Sequence, residues 1–339
     1  MSIALGFLDE VADQKDSLVY SSSHFGGRPV PLPCHAKIAA RQVRCATCNS
    51  IMNLLMQVYA PDGTQSYAYH RNVYIFSCAR GSCQRVGWSP SFRVLRSHCN
   101  EELSHKALKG CPQSCVVCGL HAPKRCAKCK EAWYCDKEHQ MAHWSQGGHR
   151  LTCGNPDGPL WLGSPWTWPT YEIISEMEEP EDEIEKGSLK EMTELMASSS
   201  MQADGSDPEV YEKVNGDRAF LKFQKRLSRA PEQVMRYLRT DEPIADAKQA
   251  VIWASAEDQP SPGDYDICAH CGAKRDLELQ ILPTLLMQLP IDHLDPNSLD
   301  WGILSVYTCT ANCSGNGDYA EELLWRQEVS SQAAVTYTS

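Results

Sequence analysis

The sequence offers nothing close to the roughly 18 consecutive apolar residues of a membrane-spanning helix. Its opening residues, MSIALGFLDEVADQKD, carry acids where a secretory leader carries basic residues. The expected surroundings are therefore the reducing cytosol and nucleus, where disulfides are rare. A phosphate loop is also missing: Gly26-Gly27-Arg28-Pro29 reads as a turn, without the following helix and lysine that such a loop needs. There is no basic excess either. Lys and Arg total 32 against 43 Asp and Glu, a net charge of −11. Phosphate backbones reward lysine and arginine, so no direct nucleic-acid binding is expected; a basic protein is the better-matched partner. The charge is uneven, since Glu172 to Glu194 contain ten acids and two lysines, a net of −8.

What the chain does have is sulfur: 17 cysteines among 339 residues. An odd number in a reducing compartment fits a closed disulfide framework poorly and points to metal. The densest stretch, Cys115 to Cys153, holds six cysteines and four histidines. They fall into pairs: Cys115-x2-Cys118, Cys126-x2-Cys129, Cys135-x3-His139 and His149-x3-Cys153. Two thiolates of a CxxC turn converge on one ion, and ligands at i, i+4 converge from one face of a helical turn. Eight ligands suffice for two tetrahedral zinc ions, and counting alone allows sequential or interleaved sharing. Catalysis is disfavoured because HQMAH has Gln140 where a zincin carries its general-base glutamate, and because every zinc position is filled by protein. A redox CxxC would need a βαβ context. DNA reading is disfavoured too: six basic residues face three acids from Cys111 to Cys153, and two Cys3His sites reduce that to roughly +1.

Outside this stretch the chain repeats itself. CATCNSIMNLLMQVYAP precedes NVYIFSCARGSC, and CAHCGAKRDLELQILPT precedes WGILSVYTCTANC. Each copy opens on a CxxC (Cys45/Cys48, Cys268/Cys271), places a glutamine nine residues later (Gln57, Gln280), and enters a second pair from an apolar run (Cys78/Cys83, Cys309/Cys313). Met56 to Tyr59, Val73 to Phe76, Leu277 to Leu282 and Gly302 to Tyr307 read as strands. Two strands are marginal alone, and four thiolates at their ends can clamp them with one zinc, as in a zinc ribbon. The two copies are expected to pack about a pseudo-twofold axis. Cys34, Cys99 and Cys111 are left without a ligand role.

Tyr171 to Ile174 reads as an edge strand after the aromatic stretch holding Trp161, Trp166 and Trp168, and Glu176 to about Asp207 as a flexible loop or a frayed helix. Phe220, Phe223 and Leu227 predict a helix over Asp217 to Leu227, and Val234, Tyr237 and Leu238 a second short helix after Pro231.

Tyr134, Cys135, Gln140, Trp144, His149 and Cys153, with the paired cysteines, make the central stretch resemble a MYND zinc finger. That resemblance implies interleaved sites: Cys115, Cys118, Cys135 and His139 on one zinc, and Cys126, Cys129, His149 and Cys153 on the other. The sixth ligand is His139, where most members have cysteine, with His143 one turn away as the alternative; Gln140 then stays in register. Related fingers receive short proline-containing peptides. Over nearly its whole length the chain resembles the programmed cell death protein 2 family, through HFGGRPVPL, LMQVYAP, FQKRLSRAPEQVMRY, CGAKRDLELQILP, DWGILSVYTC and YAEELLWRQ. The pattern is spread out after Arg239, and the first repeat has a longer lead-in from Cys34 to Cys45.

The resulting expectation is an α+β, zinc-stabilised, β-rich protein with about four structural zinc ions. A ribbon-like half over 1–110, a MYND finger over 111–154, an aromatic and acidic linker over 155–215, and a second ribbon-like half with preceding helices over 216–339 make up the chain. The resemblance implies a dedicated chaperone, not an enzyme, that holds the basic small-subunit ribosomal protein S2 and supports 40S assembly. The alternative is a nuclear adaptor whose finger grips corepressor peptides.

Overall fold

All four apolar runs beside the paired cysteines form strands, because β-branched and aromatic residues there meet apolar surface on both faces. The computed structural model describes residues 3–10, 18–85, 89–100, 113–155, 166–179, 218–239, 250–265, 267–315 and 317–328. Ten strands close one barrel: β1 (Ala4–Glu10), β2 (His24–Phe25), β3 (Asn53–Tyr59), β4 (His70–Ser77), β5 (Phe92–Cys99), β8 (Tyr171–Met177), β9 (Met235–Tyr237), β10 (Arg275–Ile281), β11 (Ile303–Cys309) and β12 (Ala320–Gln327). The remaining two, β6 (Lys124–Arg125) and β7 (Trp133–Tyr134), pair within the finger.

Around the barrel the order is β1-β8-β2-β3-β4-β5-β12-β11-β10-β9, and β9 pairs back to β1. The order is palindromic: β5 lies against β12, and β1 against β8, both antiparallel. β1 comes from the N-terminal half yet pairs only with β8 and β9, while β8 inserts beside β2. Neither half therefore closes a sheet by itself. β3 and β10 each carry a register shift at the matching place, Leu54/Met56 and Leu277/Leu279. Such bulges bend strands and allow closure.

The interior is apolar, with Met56, Val73, Ile75, Val94, Leu279, Ile281, Leu304, Val306, Ile173 and Trp301 in one cluster. Each such side chain contributes about 1.5–3 kcal/mol on burial. The outer faces are covered differently. On the N-terminal half, Leu54, Tyr74, Phe76 and Leu95 pack under the finger's Val117, Leu120 and Ala122. On the C-terminal half, Ile303 and Leu282 pack under Phe223, Ile252 and Ala254, with Phe220 and Leu227 beside them. That helix spans Arg218–Arg229 and presents the expected Phe220, Phe223 and Leu227 stripe; Asp217 lies outside the described residues. No helix among the described residues is long and apolar enough to cross a membrane.

Two expectations need correction. Val234, Tyr237 and Leu238 do not lie on a helix: Met235–Tyr237 is strand β9, filling the slot between β1 and β10. Tertiary pairing outweighs the weak helical period there. The strand expected at Tyr171 to Ile174 is present, but it extends into the stretch from Glu176 expected as a loop or frayed helix, and it belongs to the barrel and not to a linker. It runs to Met177 as a barrel strand, seven residues paired to β1. Trp168, just before it, is buried in the barrel core, and Trp166 packs near His139. Trp161, Cys111 and most of the acidic run lie outside the described residues.

At the Gly26-Gly27 turn glycine is required. Gly26 has φ of +66°, and a Cβ there would sit 1.9 Å from the Pro169 carbonyl oxygen.

Candidate metal centres

One local turn builds half of every cluster. In each CxxC the first cysteine's amide donates to a carbonyl beyond the turn: Cys45 to Ser50 (3.0 Å), Cys115 to Leu120 (2.8 Å), Cys126 to Ala132 (2.8 Å) and Cys268 to Ala273 (2.8 Å). The residue after the second cysteine has positive φ each time: Asn49 (60°), Gly119 (77°), Lys130 (62°) and Gly272 (74°). Glycine and asparagine tolerate that region best, so three of the four turns are legible in the sequence and Lys130 is the exception.

The second pair arrives differently in the barrel and the finger. Antiparallel pairing sets the start of β3 beside the end of β4, so Cys45 and Cys48 meet Cys78 and Cys83. The β10–β11 hairpin does the same for Cys268, Cys271, Cys309 and Cys313. In the finger, Cys135 precedes the helix Lys137–Ser145, which carries His139; Asp136 caps that helix by accepting from the His139 amide at 3.0 Å. His149 lies on the short helix His149–Thr152, with Cys153 just after it.

The result is four groups of four ligand atoms, each group within 4.8 Å: Cys45, Cys48, Cys78, Cys83; Cys115, Cys118, Cys135, His139; Cys126, Cys129, His149, Cys153; and Cys268, Cys271, Cys309, Cys313. The finger's pairs are interleaved. His139 is the histidine placed in its cluster. His143 instead has its Nδ1 3.0 Å from the Tyr134 hydroxyl and its ring stacked on His149 at 4.8 Å. Burial and the neighbouring His149 lower its pKa to about 4.

The donor spacing suits zinc. Tetrahedral ligands at about 2.3 Å from an ion lie roughly 3.8 Å apart. Observed separations are 3.7 Å for Cys48–Cys78, 3.6 Å for Cys118–Cys135, 3.8 Å for Cys126–Cys153, 3.7 Å for Cys268–Cys313 and 3.5 Å for Cys271–Cys309. His139 Nδ1 is 3.6 Å from Cys115 Sγ, and His149 Nε2 is 3.7 Å from Cys129 Sγ. All 16 described cysteines are free thiols. Burial chiefly pushes Cys83 up to about 11 and Cys313 up to about 12, and holds Cys118 well above the usual thiol range, whereas burial at Cys48 and Cys268 is outweighed by hydrogen bonds that lower the pKa to about 7. A dication replacing those protons makes metal uptake pH-dependent. These clusters can hold four zinc ions, and four protein ligands on each leave no place for a reacting water.

Other contacts were not legible in the sequence. Arg44 binds Asp136 at 2.7 Å, Arg28 donates to the Val116 carbonyl, and the His121 amide donates to the Ile38 carbonyl at 2.9 Å. They fix the finger to the N-terminal half. Inside the barrel Arg71 forms a forked pair with Glu278, both fully buried, with Thr308 and Tyr237 on the same carboxylate. Cys34 and Cys99 meet each other instead of a cluster; the Cys99 hydrogen bond chiefly lowers Cys34 to about 5.

On the finger, Tyr134, Lys137, Gln140, Met141, Trp144 and His149 line a shallow groove of about 340 Å³. Met141 is 59% exposed at its rim.

Three family models match the chain: the programmed cell death protein 2 N-terminal domain over 2–107, the MYND finger over 115–153, and the programmed cell death protein 2 C-terminal domain over 217–328. The chain is 32% identical to programmed cell death protein 2 of Rattus norvegicus, covering 97% of each chain. It is 26% identical to programmed cell death protein 2-like of Mus musculus, over 88% of this chain and 87% of the relative. It is 21% identical to a Schizosaccharomyces pombe protein named probable 20S rRNA accumulation protein 4, over 91% of this chain and 92% of the relative. No solved structure matches the chain significantly.

Proposed function

The chain belongs to the programmed cell death protein 2 family, and from that premise we propose that it is a non-enzymatic chaperone. Its client is a basic ribosomal protein, small-subunit ribosomal protein S2, held during or after synthesis in support of 40S assembly. The observation that carries this reading is the near-full-length likeness to a fission yeast protein named for 20S rRNA accumulation. The chemistry agrees. A ribosomal protein is basic and lacks its RNA counter-ions before assembly, and this chain carries a net charge of −11. Each of the four clusters offers four protein ligands, so a zinc bound there would act as scaffold. Client holding is placed in the cytoplasm and nucleus, with release by competition at assembly.

We read the palindromic barrel as two copies of one zinc-clamped unit. Gln57 supports this: its amide receives the Val30 N–H (2.9 Å) and donates to the Val30 carbonyl (3.1 Å). Gln280 does the same with Ile252, at 3.1 and 2.8 Å.

A second reading has the finger as a nuclear adaptor for proline-containing corepressor peptides, and the Tyr134–Trp144 groove favours it. One experiment separates the two. The tagged chain is purified from cells with and without a translation blocker. Recovery of S2 that falls with the blocker supports the chaperone; a corepressor complex insensitive to it, without S2, overturns the chaperone. The acidic run is tested by charge reversal at Glu181, Asp182 and Glu183, outside the described residues. Glu178 is unsuitable, because it is bound by Arg236 at 2.8 Å and Arg226 at 3.3 Å. Reversal is expected to weaken S2 capture most at low salt.

A further inference from the structure

A closed barrel removes strand edges, yet one stretch of β8 has no strand partner on its β2 side among the described residues. Its backbone groups alternate in direction. The Glu178 amide donates to the Ile3 carbonyl at 2.7 Å, toward β1, and the Ile173 amide donates to the Ser23 carbonyl at 2.9 Å, toward β2. By the strand period, Ser175 and Met177 point their N–H and C=O groups to the β2 side. β2 has only two residues, and its ladder with β8 covers Tyr171 and Glu172. Before His24 the chain leaves β8: Ser22 closes a turn on Val19, the Tyr20 carbonyl accepts from Asn72 at 2.9 Å, and the Tyr20 ring meets His70 edge-on at 5.6 Å. No described strand therefore occupies the edge beyond Ile173. The stretch is exposed, with Ile174 at 43% and Met177 at 56%.

Its own charged side chains are of one sign, while Arg226 and Arg236 reach Glu178 just past its end. Glu172 and Glu176 flank Ile174 on the face opposite the buried Ile173, and residues 166–179 contain no lysine or arginine. Across the ladder Asp9 stands opposite Glu172, and Glu10 follows it at the strand end. All four carboxylates are on exposed residues. Like charges in register across a ladder are unfavourable until a cation relieves them.

We propose that this edge of β8, Ile174 to Met177, is where an extended basic segment of the client adds as a further strand. The inference rests on the chaperone reading and names its gripping surface. Backbone hydrogen bonds to Ser175 and Met177 give the affinity. An apolar side chain beside Ile174 and a lysine or arginine two residues away, beside Glu176, give the selectivity. The rival account is that these acids only guard an exposed edge against self-association.

Purified S2 is the probe, with the full zinc-loaded chain. Ser175→Pro removes the N–H that faces the edge and leaves the β1 ladder intact, because that N–H is not in it. Glu176→Lys reverses the exposed charge. Each variant is expected to weaken S2 binding roughly tenfold or more, Glu176→Lys with a shallower salt dependence. In the wild type, S2 should slow hydrogen exchange at the Ser175 and Met177 amides. Four zinc ions per chain in native mass spectra serve as the folding control; should Ser175→Pro fail it, Glu176→Lys and the exchange measurement decide. If wild type holds S2 but Glu176→Lys holds it equally well and the two amides exchange unchanged, the edge is merely guarded and the chaperone reading stands. If wild type does not hold S2, both fall.

Discussion

The N-terminal and C-terminal clusters are built from the same pieces and live in different surroundings. Cys45, Cys78 and Cys83 are buried, and with partly buried Cys48 they share one packed group with the finger's Cys115, Cys118 and Cys135. At the other end Cys271 is exposed, Cys313 is half-buried, and Ile267 beside the turn is 54% exposed. Spacing in sequence chose the ligands in both places. What packs on top was decided by the fold, and it sets how readily solvent, chelators and oxidants reach the sulfur.

The strongest way to break the comparison is to delete one thiolate from each cluster. Structural zinc supplies ~10–16 kcal/mol in small domains, comparable to a domain's whole stability. Cys78→Ser and Cys309→Ser are each expected to lose their ion and most of the cooperative unfolding transition. Hydrogen exchange should separate them: Cys78→Ser exposes the Cys115–Ala122 amides, whereas Cys309→Ser leaves them protected. In the wild type a chelator should take the Cys268–Cys313 ion first, followed by mass-resolved zinc counting. Simultaneous release of all ions would show that burial of the N-terminal cluster does not matter.

Next in size is the tie between the halves. Arg71 on β4 and Glu278 on β10 meet fully buried inside the barrel. Arg71→Met leaves a buried carboxylate alone and should cost about 3–5 kcal/mol by denaturant unfolding, most of it recovered in Arg71→Met/Glu278→Leu. If the double variant is no better than the single, the pair matters through packing alone. The same pair gives a pH signature. Burial raises the Glu278 carboxyl, but Arg71, with help from Arg239 and Thr308, outweighs it and holds the pKa at about 2. A depressed carboxylate stabilises the fold above its unfolded value of 4.5, and that stabilisation is lost as pH falls from there toward 2. Acid unfolding should lose this component in Glu278→Gln.

The mildest test concerns the matched glutamines. Gln57→Ala and Gln280→Ala each abandon two hydrogen bonds to a loop backbone, and Gln280→Ala one more to the Ser305 hydroxyl, at about 1–3 kcal/mol. Equal losses sharpen the likeness of the halves; a large loss at one alone breaks it.

Much of the metal chemistry was legible because the ligands of a turn are neighbours in sequence. Cys45-x2-Cys48 and Cys268-x2-Cys271 predict their own convergence, and the matched spacing of Gln57 and Gln280 pointed to residues that do the same work. The register of Gln140 favours His139 over His143, and packing separates them: both lie on one helix, and the Tyr134 hydroxyl meets His143. Strands β1, β2, β5 and β12 lack metal ligands in regular spacing, and their short or mixed patterns gave no comparable signal. Met235–Tyr237 pairs as a strand against its helical period, because three residues between partners contributed by distant segments carry almost no local preference.

The amino-acid order alone set the paired ligands, the turns that bring thiols together and the acidic excess, because each depends on residues close in the chain or on composition. Only the tertiary structure decided that β1 crosses to the C-terminal half, that β8 inserts beside β2, and that one length of β8 has no described strand on its β2 side. Strand pairing is made by backbone groups that every residue shares, so the choice of partner falls to which edges are free and which apolar faces remain to be covered.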